Sequence, residues 1–290
     1  MFNSAFNIQT YFPEGDTTGI RHSKIEGLLG SVIVIPRNKL KLAVNYRDFI
    51  EVGVYFLVGG DNQEDTYQER KKGVYIGEAE NCFERIKQHN NDSSKDFWNV
   101  ALVFSKVDNL TRTDIKYLEW ISFKQIDEAN RYNIKNNNVP NKPRNIEESK
   151  EATLSRYFNS IKILVSFLGF PLFSTLSKPN EISDIFICKK GNNIIAKGQY
   201  TEEGFVVLKG SQATSKTRPS ILPYSLNRLQ QLIDEGILKE DGEILVFQED
   251  CIFNSPSGAA GIIRGGEENG WISWKRESDG KTLDEVIRRD

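Results

Sequence analysis

The chain has 290 residues, 27% of them charged, with a formal net charge of -2, so it has room for two or three modest domains and exerts no overall electrostatic pull on nucleic acid. Its three cysteines, Cys82, Cys188 and Cys251, are far apart, which excludes a disulfide framework and a cysteine zinc cage and fits a reducing, cytoplasmic setting. The start of the chain carries no basic-then-apolar leader, and the longest apolar run, Ile161 to Phe173, is broken by Lys162, Ser166 and Pro171, so a soluble protein without membrane contact is expected.

Residues 1–48 read as a small β segment. A strand covers Phe6 to Phe12, a turn follows over Pro13 to Gly19, and the β-branched run Ser31 to Ile35 ends at Pro36. His22 falls in the loop region between them as a solvated or core-edge ring. With His89 the only other histidine, no histidine-rich metal site can be assembled.

Residues 49–145 hold the chemistry. Val52, Val54, Phe56 and Val58 alternate with other residues as in a half-buried strand, which the cluster Gly59-Gly60-Asp61-Asn62 then breaks. A second run, Val74 to Gly77, completes a hairpin. Asn81, with Glu84 three residues on, reads as the N-cap and capping-box acid of a helix to His89. Phe83 and Ile86 on that helix are spaced to pack inward, while Arg85 and His89, one turn apart, share another face. A strand from Trp98 to Phe104 precedes a long helix that begins at Thr111 or Thr113 and ends at Ala129. On this helix Glu119 sits on or beside the stripe made by Ile115, Leu118, Ser122, Phe123 and Ile126. A carboxylate there is costly unless paired, so the residues alone leave two readings, a buried salt bridge or a metal ligand.

The run Asn136 to Pro143 is loop. Glu147 to Leu168 is an amphipathic helix with Leu154, Phe158, Ile161, Val165 and Leu168 on one face. It is read, over residues 146–175, as a connection packed on its own protein. Residues 176–290 then form a separate α+β domain. Strands are expected over Ile185 to Cys188, Ile194 to Lys197, Gly204 to Leu208 and Ile244 to Gln248, with a helix from Pro223 to Gly236. A second helix opens at Ser255-Pro256, and Asn269 to Trp274 reads as turn and strand.

The strings Gly53-Val54-Tyr55, Tyr75-Ile76-Gly77 and Arg85 with His89 four residues later resemble the GIY-YIG nuclease family. Val54 stands where the family has isoleucine, and the interval between the tyrosines carries a charged insertion, Asp61 to Lys72, beyond the family's short hairpin. The resemblance implies a small α/β domain, an antiparallel sheet flanked by helices, that hydrolyses phosphodiester bonds in DNA with one Mg2+ or Mn2+. It implies that Glu119 holds the ion, that Arg85 braces the nonbridging phosphate oxygens, and that Tyr55 is a general base or orients water. Tyr75 would position the nucleophile or phosphate, and His89 would relay a proton or orient Tyr55. The family's asparagine after the metal-ligand helix falls on Asn136, with Asn138 and Asn141 as alternatives. Cutting both strands would follow from a homodimer or from sequential nicking.

From Ile182 the order Gly204 to Ser211, Phe253 to Gly266, Asn269 to Trp274 and Asp279 to Leu283 resembles an α+β module of uncertain function found behind GIY-YIG nucleases and on some restriction enzymes and adenine methylases. That implies substrate recognition by residues 176–290, in restriction, defence or repair. Lys209, Lys216 and Arg218 would touch phosphates, and Trp271 or Trp274 is either a base-stacking surface or core. Two further readings stay open: a nucleic-acid binder with an inactive nuclease fold, and a protein-interaction scaffold. P-loop, dinucleotide-binding, zincin and nucleophile-elbow patterns are absent.

Overall fold

The computed structural model describes residues 5–289 apart from 29, 50, 61–70, 106–109, 145, 176–183, 192–193 and 202–203; most of the charged insertion lies outside the described residues. The chain is α+β. Its described residues form two compact units, one reaching Thr175 and one beginning at Asp184.

The first unit is organised on a seven-stranded sheet of β1 (Ile8–Tyr11), β2 (Arg21–Ile25), β3 (Ser31–Pro36), β4 (Gly53–Gly59), β5 (Gly73–Ala79), β6 (Val100–Ser105) and β7 (Asn133–Ile134), in the order β1-β2-β3-β6-β4-β5-β7. The pairs are antiparallel except β5 with β7. The helices are α1 (Cys82–Asn90), α2 (Arg112–Ala129) and α3 (Glu148–Phe167). Because β3 pairs with β6, from Ser31 opposite Ser105 to Pro36 opposite Val100, residues 1–48 are part of this sheet and not a separate segment.

Strand β4 departs from the half-buried pattern, since every residue in it is buried. It lies inside the sheet with both faces covered. Val54, Phe56 and Val58 join the core under α2 and α3, and Tyr55 and Leu57 join a second core with Phe83, Ile86 and Trp98. α3 is likewise no connector: Leu154, Tyr157, Phe158, Ile161, Leu164 and Val165 belong to the first of these cores. Burying six such side chains contributes on the order of 10 kcal/mol before conformational entropy is subtracted, which fixes α3 as a layer of this unit.

His22 lies in β2, opposite Ile33 of β3. The polar string Arg21-His22-Ser23-Lys24 hides this strand, which is held between two neighbours and buries Ser23. At α1 the Asn81 side chain accepts from the Glu84 amide at 3.0 Å, but the Glu84 carboxylate binds Lys87 at 3.0 Å, so the N-cap stands without the reciprocal half of a capping box. α2 has the complete box, Thr111 with Asp114, and buried Asp114 also meets Lys150 of α3 at 3.0 Å.

The second unit has two sheets. β8 (Phe186–Lys190), β9 (Ile194–Thr201), β10 (Gly204–Val207), β14 (Cys251–Phe253) and β15 (Lys275–Arg276) run in the order β14-β10-β9-β8-β15, and β11 (Gln212–Thr214), β12 (Leu238–Asp241) and β13 (Ile244–Phe247) in the order β11-β13-β12. α4 (Pro223–Asp234), α5 (Pro256–Arg264), α6 (Gly270–Ser273) and α7 (Leu283–Ile287) complete it. Residues 270–273 are therefore helical, not a strand. Asn269 caps them by accepting from the Trp271 amide at 3.1 Å, and a Cβ at Gly270 would fall 2.2 Å from Pro256, so only glycine lets this turn close on α5. No described helix is long and apolar enough to cross a membrane.

Candidate active site

Strands β4 and β5 bring the two tyrosines together. Gly77 sits opposite Tyr55, and a Cβ there would lie 2.4 Å from the Tyr55 hydroxyl oxygen. Gly53, at the other end of the first string, would put a Cβ 2.1 Å from the Phe104 carbonyl oxygen. The first glycine makes room for a phenol and the second for strand β6.

Around that phenol the rings form a cluster. Tyr55 and Tyr75 stack at 6.3 Å between centroids, and Tyr75 meets His89 edge-on at 4.9 Å. The Tyr55 hydroxyl is 2.8 Å from His89 Nε2, and both side chains are buried. α1 thus presents its His89 to the sheet, while Arg85, one turn back, is exposed and donates to Gln88 Oε1 at 2.8 Å. Among the described residues Arg85 has no carboxylate partner.

One pocket of about 410 Å³ is lined by Tyr75, Arg85, His89, Glu119 and Asn136, with Gln88, Asp92 and Lys95. Five of the six residues singled out in the sequence therefore share a wall. Tyr55 stands behind it, 1% exposed, and reaches the pocket through His89. Glu119 comes from α2, half-buried, with no hydrogen bond or salt bridge to a described residue. Of the two readings open for it, an internal ion pair is not found among those residues.

Asn136 does something particular. It accepts from the Ile76 amide at 2.9 Å and donates to the Ile76 carbonyl at 2.7 Å, extending the ladder that Lys135 N makes to the Val74 carbonyl at 2.8 Å. Its carboxamide substitutes for a peptide group beside β5 and fixes the strand between Tyr75 and Gly77. Asn138 lines the same pocket, and Asn141 is not among its lining residues.

Electrostatics set the protonation states. Burial pushes the Tyr55 phenol well above its ordinary value, Tyr75 adds to this, and the Arg85 charge only partly opposes it, so Tyr55 is a neutral phenol here. Burial, then the cations Arg85 and Lys95, lower His89 to about 4, against a smaller effect of Asp92. Burial and the neighbouring Glu78 carboxylate raise Glu119 to about 7, with Lys116 opposing. Glu119 is therefore a carboxylate kept short of positive charge.

That shortage fits a divalent cation. Among the described residues no group of three or more His, Cys, Asp or Glu side chains is arranged to hold a metal. An ion here would rest on Glu119 and fill its remaining positions with water and substrate oxygens, which suits Mg2+ or Mn2+ better than an all-protein cage. Gln88, Asp92 and Lys95 were not read from the sequence as pocket residues. Asp92 is the N-cap of a 3-10 turn over Ser93–Lys95, accepting from Ser94 N at 3.0 Å, so the polar string that places Lys95 looks like any solvated turn.

In the second unit two of the three cations expected at phosphate are engaged, Lys216 with Glu243 at 3.1 Å and Arg218 with Glu268, while Lys209 shows a hydrogen bond from its backbone amide to Asp250 at 2.9 Å. Trp274 is core, its ring N–H donating to the Pro256 carbonyl at 3.0 Å. Trp271 is half-buried, with the Arg288 guanidinium 3.4 Å from its ring centre. A family model described as Domain of unknown function (DUF4357) matches residues 186–287, which is most of this unit. Comparison with curated proteins and with solved structures gave no match.

Proposed function

We propose that the chain is a metal-dependent endonuclease of the GIY-YIG type that hydrolyses phosphodiester bonds in DNA. The observation that carries this reading is the shared pocket: a guanidinium and a carboxylate that form no salt bridge among the described residues, a tyrosine and a neutral histidine, drawn from β5, α1 and α2. Opposite charges in one pocket that are not paired with each other suit a substrate that supplies an anion and a cofactor that supplies a cation.

In this reading Arg85 grips two nonbridging oxygens with its fork of donors. Tyr75, neutral because of its burial and the nearby Glu119, hydrogen-bonds the water or the phosphate. Tyr55 orients His89, and His89 takes the proton that leaves the water. Its basicity is low in the free pocket first because it is buried and then because Arg85 and Lys95 face it; the charge of a bound phosphodiester offsets the cations and raises it part of the way. Glu119 would hold a divalent ion, which when bound would supply Lewis-acid polarisation to the phosphoryl group and support for the leaving oxygen. Substrate choice for restriction, defence or repair falls to the second unit, and a homodimer or successive nicks would cut both strands.

Plasmid nicking with Mg2+ or Mn2+ tests this. Arg85→Ala is expected to slow cutting about 10²- to 10³-fold, and Glu119→Ala to abolish it, with DNA binding retained in both. Tight binding without cutting under either metal would identify an inactive reader instead; neither binding nor cutting would leave only a scaffold.

A further inference from the structure

Lys95 ends the 3-10 turn after α1 and is 9% exposed. Among the described residues its ammonium makes no hydrogen bond and no salt bridge, and its contact is the face of Tyr75, 4.2 Å from the ring centre. A cation over a ring gains about 0.5 to 2 kcal/mol, and the stem of Lys95 is buried while its ammonium reaches the pocket, as long cationic side chains do. The nearby carboxylate, Asp92, makes no salt bridge to it and accepts instead from the Ser94 amide and hydroxyl at 3.0 and 2.8 Å, so among the described residues the lysine is not ion-paired.

Its position says where the anion would lie. Lys95 lines the catalytic pocket and also a second pocket of about 520 Å³, and the two share Asn136 and Asn137 as well. The second pocket adds Ser93, Ser94 and Lys135. The acid on its wall, Asp96, is held by Arg37 at 3.0 Å, so negative charge there is already countered. The two pockets adjoin at Lys95, Asn136 and Asn137, so the ammonium belongs to both. A polynucleotide strand with one phosphate at Arg85 carries its next phosphate toward that junction.

We propose that the second pocket is a subsite for the phosphate adjacent to the one cleaved, with Lys95 as its charged ligand, so that the substrate is a strand read through two successive phosphates. This rests on the nuclease reading of the first pocket. It adds a binding residue and a minimum substrate length.

The test uses the full chain without divalent metal and measures affinity for thymidine dinucleotide, with one phosphodiester, and trinucleotide, with two. Wild type is expected to bind the trinucleotide about ten- to a hundredfold more tightly. A trinucleotide with one linkage replaced by neutral methylphosphonate should lose that advantage. Lys95→Met should bind both lengths as wild type binds the dinucleotide, and Lys95→Arg should keep the preference, while unchanged melting temperatures exclude a folding defect. Equal loss for both lengths in Lys95→Met, no loss in either, or no binding of either oligonucleotide at millimolar concentration overturns the subsite. The plasmid assay separates the two readings: cutting with a length preference indifferent to Lys95 removes the subsite alone, whereas a Lys95-dependent preference without cutting removes the nuclease alone.

Discussion

Glu119 is held in a state that works against folding. Its carboxyl is raised to about 7 by burial and by Glu78, whereas in the unfolded chain it returns to about 4.5. Between these values the folded protein binds more protons than the unfolded one. The contribution of Glu119 to stability is therefore complete below about pH 4.5 and is lost as pH rises through 7. Glu119→Gln keeps the shape and cannot ionise, so its melting temperature should exceed that of wild type by a few degrees at pH 8 and match it at pH 5. A constant difference across that range would mean that the charge is already neutralised by something else. Such a cost is characteristic of groups retained for binding. It was visible in the sequence because a helix of period 3.6 sets Glu119 beside Ile115, Leu118 and Ser122. Lys95 gave no such signal, since nothing in Asp92-Ser93-Ser94-Lys95 indicates that the ring of Tyr75, twenty positions earlier, covers it.

The elements show why the short motifs carry glycine and why an asparagine follows α2. Gly77 leaves room for the Tyr55 phenol, so Gly77→Ala must push that ring or open the β4–β5 pair. Expected are a destabilisation of about 1 to 3 kcal/mol in urea unfolding and loss of the Tyr55 contact with His89, visible as a changed His89 ring signal; only two histidines need assignment. Asn136→Ala removes two hydrogen bonds and leaves the amide and carbonyl of Ile76 unpaired on β5, which should cost about 1 to 3 kcal/mol. If urea unfolding shows no loss, the carboxamide does not anchor the strand and its role lies with the substrate. Local rules found the hairpin, α1 and α2, because each is marked by alternation, a cap or a stripe. They misread β4 as half-buried because Tyr55 and Leu57 look outward only until α1 covers them. The same limit turned residues 270–273 into a strand, for the contact of Gly270 with Pro256 is tertiary.

At the scale of the whole chain, long-range pairing decides what belongs together. The divide near residue 175 coincides with a change in sequence character, from a long amphipathic helix to short strands with tight turns. The unity of residues 5–175 does not show, because β3 meets β6 some seventy positions later and no periodicity records that pairing. Each unit nevertheless has a core of its own, one under α2 and α3 and one around Phe205, Leu232, Phe247 and Ile263. All six candidate residues, and Lys95, belong to the first. A fragment of residues 1–175 should therefore fold with a cooperative melting transition, since it keeps the whole seven-stranded sheet and its helices. On the proposed nuclease reading it should also show metal-dependent nicking, with a weaker dependence on DNA sequence or modification than the full chain, because that reading places the chemistry in one pocket of this unit and discrimination in the other. Circular dichroism melting and plasmid nicking of the fragment read these two expectations separately. A folded fragment that no longer cuts would place part of the catalytic apparatus beyond Thr175, and an unfolded one would make the second unit a structural support.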